Sequence, residues 1–123
     1  NIKTVVGPII CDRSKPELKN LNIKNSAELI KNQIPTAICT DHPETPIQYL
    51  SLTAGLAIRG GLDFYSALKS ITIDAAKITG ISTRVGSIEI GKDADIQLYK
   101  ENPFNTTSTP AMVMIDGNII EKL

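Results

Sequence analysis

Ile34-Pro35-Thr36-Ala37-Ile38-Cys39-Thr40-Asp41-His42-Pro43 is a nearly continuous apolar run that empties into a charge. It shows no polar–apolar alternation, so it reads as a strand covered on both faces, the pattern of a parallel sheet. Upstream, Val5-Val6-Gly7-Pro8-Ile9-Ile10 is a second β-rich run. Pro8 has no N–H to give a central ladder, so the first strand is expected to stop near it. Residues 11–23 are polar and punctuated by Pro16, which suits a long connection with at most one short helical turn. Asn25 is then expected to cap a helix through Glu28 and Asn32, with Ala27, Leu29 and Ile30 as its apolar face. Strand, crossover helix and strand make a βαβ unit.

Downstream the pattern is helical. Thr45-Pro46 offers a cap with proline at the first helical position, and Ile47, Leu50, Ala54 and Ile58 recur at spacings of three and four up to the stop at Gly60-Gly61. Asp63 or a neighbour starts the next helix, with Ala67, Leu68 and Ile71 apolar, and Thr72 restarts a shorter one that runs to Gly80. From Val85 the period changes. Val85-Gly86-Ser87-Ile88-Glu89-Ile90 reads as a strand leading to the turn Gly91-Lys92-Asp93, and Ile96-Gln97-Leu98-Tyr99 as the next. After a loop containing Pro103 and Pro110, residues 111–115 and 118–120 flank Asp116-Gly117, a strong hairpin signal. A small antiparallel sheet is expected to close the chain.

At 123 residues and 41% apolar, the chain has enough material for a core. Lysine plus arginine balances aspartate plus glutamate at 13 each, which disfavours nucleic acid and membrane-surface partners and favours small or neutral ones. No apolar run approaches the roughly 20 residues that span a bilayer. Asn1-Ile2-Lys3 has neither a signal-peptide pattern nor an initiating methionine, so a fragment is expected. Cys11 and Cys39 lie in or beside apolar runs without Cys-x-x-Cys spacing, which suits buried thiols in a reducing, cytoplasmic setting.

Asp41 follows its strand at the end where parallel α/β sheets place functional groups. A carboxylate there can bind a divalent cation or take a proton from water; it can equally begin a turn or cap the next helix. His42 is the only histidine, and one histidine beside one aspartate does not complete a hydrolytic metal site. Its plain role is a hydrogen bond or solvent exposure, and its functional one a contact to substrate. Asp12 and Arg13 could reach the same mouth or lie in a solvated loop. Gly60-Gly61 lacks the further glycines and lysine of a phosphate loop, and Asp93 and Asp95 are expected to shape their turn.

Three blocks, residues 35–43, 67–77 and 84–96, together resemble the C-terminal end of the amidohydrolase superfamily in order and spacing. The most characteristic stretch is Val85-Gly86-Ser87-Ile88-Glu89-Ile90-Gly91-Lys92-Asp93-Ala94-Asp95, and the Thr40-Asp41-His42-Pro43 variant is most similar to the imidazolonepropionase-related branch. The resemblance implies an α/β fold, a (β/α)8 TIM-like barrel with a β-sandwich assembled from both chain ends. Residues 1–80 would supply the last two barrel strands, near residues 4–10 and 36–40, with their helices. Residues 81–123 would supply the C-terminal strands of the composite sandwich. For Asp41 it implies a metal ligand that handles the proton of the attacking water, and for His42 a place lining the substrate pocket. The family's His-x-His pair, its later histidines and the carboxylated lysine of some members have no match here. The implied parent activity is metal-dependent hydrolysis of C–N bonds in amide, cyclic amide or amidine-like small molecules, with a divalent cation, zinc first. The segment alone is expected to hold no metal and to be inactive without the N-terminal part of the barrel.

A non-catalytic α/β binding or assembly module with amidohydrolase-like architecture is the alternative, and so is assembly with a separately expressed N-terminal half. An upstream region containing His-x-His discriminates the truncated enzyme from the module. Two strands cut from a closed barrel leave an unpaired edge and bare apolar faces, so self-association, or partial rearrangement, is expected of the isolated segment.

Overall fold

In the computed structural model, which describes residues 2–122, β1 (Thr4–Val6) pairs in parallel with β2 (Thr36–Ile38). Thr4 faces Thr36 and Val6 faces Ile38, and the Cys39 N–H extends the ladder by donating to the Val6 carbonyl at 3.0 Å. Parallel neighbours need a crossover rather than a tight turn. Here it contains a 3₁₀ turn at Pro16–Asn20 and helix α1 (Asn25–Lys31), which is the expected βαβ unit. The first strand stops where expected, and the reason is double. Pro8 cannot donate to a ladder, and Gly7 passes so close to the residue after β2 that a Cβ there would lie 2.1 Å from the Cys39 carbonyl oxygen.

Three helices follow, α2 (Leu50–Arg59), α3 (Phe64–Ser70) and α4 (Ile73–Thr79). Asp63 caps α3, its side chain accepting from the Ser66 N–H at 2.9 Å. Hydrogen bonding with Ser66, its side chain first and its backbone N–H second, holds the Asp63 carboxyl below the usual carboxylate range. α2 ends at Gly60, where a Cβ would meet the Ile23 carbonyl oxygen at 2.2 Å, so only glycine lets α2 lie against the turn before α1. The core joins Ile9, Ala27, Ile38, Ala54, Ala57, Leu62, Ala67 and Phe104. Its alanines keep the helices close to β2, and Phe104 meets Phe64 edge-on at a centroid distance of 5.1 Å.

The second sheet is antiparallel, in the order β3 (Ile96–Leu98), β4 (Met112–Ile115), β5 (Asn118–Lys122). Asp116 and Gly117 both take positive φ, 48° and 76°, as a two-residue hairpin turn of this twist requires. Asp95 supports that turn by accepting the Asp116 N–H at 2.9 Å.

Three expectations need correction. Asn25 lies inside α1 rather than capping it; the Asn22 side chain accepts the Lys24 N–H at 3.0 Å, so the turn stabilised by an asparagine lies upstream. Thr45 does not cap α2, which begins after a 3₁₀ turn at Ile47–Tyr49; the buried stripe is Thr53, Ala54 and Ala57, and Ile47 stays 66% exposed. Residues 85–90 form turns and bends instead of a strand. Gly86 sits at φ +96°, with Thr72, Ile73 and Ala76 so close that a Cβ would come within 2.8 Å of the Ala76 Cβ. Beyond it the Asp93 N–H returns to the Arg84 carbonyl, which closes a loop in place of an extended ladder. Among the described residues, no helix is long and apolar enough to cross a membrane.

Candidate functional site

Because β1 and β2 run parallel, the segments that follow them emerge from the same end of the sheet. Asp41 lies there, in the turn after β2, with its backbone in the left-handed region at φ +53°. Aspartate tolerates this conformation better than most residues. Two backbone bonds close the turn around it: Glu44 N–H to the Asp41 carbonyl at 2.9 Å and Thr45 N–H to the Thr40 carbonyl at 3.3 Å. Asp41 thus begins a turn through its backbone while its carboxylate stays exposed, with no hydrogen-bond or ion-pair partner among the described residues. His42 follows it, also exposed, in the same turn.

Asp12 and Arg13 share this end of the sheet but act on their own loop. The Asp12 carboxylate accepts the Arg13 N–H at 2.7 Å, and the Arg13 guanidinium donates to the Leu21 carbonyl at 2.7 Å. Arg13 also borders a recess of about 290 Å³ with Cys11, Leu21 and Asn22. Cys11 and Cys39 are free, half-buried thiols. Sequence reasoning missed Thr45 here. Read as a cap, it is instead 3% exposed and donates its hydroxyl to the Ile10 carbonyl at 2.5 Å, joining the segments that follow the two strands. No local signal marks a bond between residues 35 positions apart.

A larger cavity, about 780 Å³, lies between α4 and residues 85–97 and contains neither Asp41 nor His42. Its charged rim is internally engaged. Lys92 donates to Ser87 and Glu89, whose carboxyl the Ser87 hydroxyl and Lys92 hold below the usual range. Asp93 pairs with Arg84 and raises its pKa. These groups fasten a turn rather than face a ligand, and neither recess is lined by Asp41. As a metal site the described residues fit one ligand position: Asp41 offers a free carboxylate, and no group of three or more His, Cys, Asp or Glu side chains among them is arranged to hold an ion.

Residues 8–120 match the model of the amidohydrolase family. The chain belongs to that family. Imidazolonepropionases from Syntrophobacter fumaroxidans and Cupriavidus necator are 37% identical over 73 residues and 36% identical over 86. These matches cover 57% and 68% of this amidohydrolase chain, but 17% and 21% of the relatives. The amidohydrolase tasK of Hapsidospora irregularis is 35% identical over 78 residues, 63% of this chain and 8% of its own length. The crystal structure of an amidohydrolase from Thermotoga maritima matches 99% of the chain with a TM-score of 0.93 and 38% identity, and 32% of that protein is covered. The amidohydrolase chain therefore spans less than a third of each of these proteins.

Proposed function

We propose that this chain supplies one carboxylate and part of the scaffold of an amidohydrolase that cleaves C–N bonds in amides, cyclic amides or amidine-like rings. The supporting observation is Asp41, whose unpartnered carboxylate stands on a closed turn at the C-terminal end of a parallel strand. In this reading residues 1–80 contribute the last two strands of a (β/α)8 barrel with their helices, and residues 81–123 contribute strands of a composite sandwich. The unpaired edges of the β1–β2 sheet, and a match to less than a third of each relative, support a partner in the N-terminal part of the barrel. The segment alone would then be inactive and prone to self-association, and its free thiols suit the cytoplasm.

Asp41 would provide this chain's ligand to a divalent cation, zinc first, with the other ligands drawn from the N-terminal barrel strands. Such a cation, when bound, supplies Lewis acidity toward the scissile carbonyl and favours ionisation of water. Asp41 accepts the proton of the attacking water on its free oxygen and delivers it to the leaving nitrogen. His42, in the same turn, contacts the substrate. The test is Asp41→Asn in the full-length protein, assayed with imidazolonepropionate and a panel of cyclic amides. Turnover should fall at least about a hundredfold with unfolding temperature unchanged; turnover near the wild-type rate rejects the role.

A further inference from the structure

We infer that Thr45 is a positioning residue for Asp41, and this rests on the reading of Asp41 as the site carboxylate. The backbone sets the direction of the Asp41 Cα–Cβ bond, at φ +53°, and its carboxylate has no partner of its own among the described residues. The turn that fixes this backbone is closed by Thr45, whose N–H donates to the Thr40 carbonyl at 3.3 Å. The same residue ties the turn to the rest of the molecule. Its hydroxyl, on a side chain 3% exposed, donates to the Ile10 carbonyl at 2.5 Å. Thr45 therefore closes the turn with its backbone and anchors it with its side chain. Asp41 is held relative to the segment following β1 as well as to its own strand.

Removing the hydroxyl while keeping the shape isolates the anchoring bond. Valine leaves the Ile10 carbonyl without its donor in a part-buried place, and the turn then samples other positions. Loosening the support of a site carboxylate is felt strongly, because a group supporting a metal ligand commonly contributes a factor of about 10 to 100 in metal affinity.

In the full-length protein, Thr45→Val should raise amide exchange across residues 40–45 about tenfold and weaken binding of Zn²⁺ alone about tenfold. Thr45→Ser, which keeps the donor, should restore both. If Thr45→Val does not fold, Thr45→Ser against Thr45→Cys reads the same contrast between a hydroxyl and a poorer donor. Wild-type exchange, or wild-type Zn²⁺ affinity, in the variant lacking the hydroxyl overturns the inference. Asp41→Asn, measured in parallel, separates the two ideas. Undiminished Zn²⁺ affinity and turnover in Asp41→Asn reject Asp41 itself, whereas loss there with an unaffected Thr45→Val rejects only the positioning role.

Discussion

Residues 4–80 and residues 81–122 both carry isoleucines in quantity, yet among the described residues only the first region buries any of them, while Ile10 and Ile47 stay exposed there. Ile9, Ile38 and Leu62 are buried among the helices, whereas Ile88, Ile90, Leu98, Ile119 and Ile120 stand in the open and Phe104 is the only buried hydrophobic of the later region among the described residues. The two regions differ in layering. A parallel pair brings its own crossover helix, and the helices that follow pack on β2, so cover and covered lie within one stretch of chain. The antiparallel β3–β5 sheet is built from close neighbours and brings no second layer with it. Apolar sequence states what needs cover; topology decides whether the same stretch supplies it.

The contrast breaks most readily at Gly7. Gly7→Ala would place a methyl 2.1 Å from the Cys39 carbonyl oxygen and 2.7 Å from its sulfur. Such overpacking should cost about 3 kcal/mol in urea unfolding of the full-length protein; a loss under about 1 kcal/mol would mean this region yields as easily as the open one. A smaller effect is expected at Asp63. Asp63→Ala removes the α3 cap at a cost of about 1 kcal/mol near neutral pH. The Asp63 carboxyl titrates lower in the folded state because it accepts from Ser66, so its stabilisation is complete above the ordinary carboxylate pKa and lost as pH falls through the lowered value. Wild type and variant should therefore converge in strong acid; a constant gap across the titration would show that the cap acts without its charge. Least of all is expected at Ile90, which is 108% exposed. Ile90→Ser should alter stability by less than about 0.5 kcal/mol, while lowering light scattering from self-associated segment; unchanged scattering would mean its exposed face does not drive association.

Much of the packed region was legible because its signals are local. Pro8 marks the end of β1, Asp63 caps α3, and Gly80 ends α4 in the left-handed region at φ +81°. The hairpin was legible for the same reason, since Asp116-Gly117 states its own turn. Residues 85–90 misled because alternation alone suggests a strand, while the close approach of Gly86 to α4 is a tertiary fact. At the candidate site the position of Asp41 followed from the strand before it. What Thr45 touches did not follow, because its partner carbonyl belongs to the segment after the other strand.

Phe104 crosses the divide. It comes from the stretch between β3 and β4, yet its ring rests on Phe64, and its carbonyl oxygen lies where a Cβ on Gly55 would be only 2.9 Å away. Melting of the later strands would withdraw this ring and leave a void against α2 and α3, so the two parts should lose structure in one cooperative step with a single calorimetric transition.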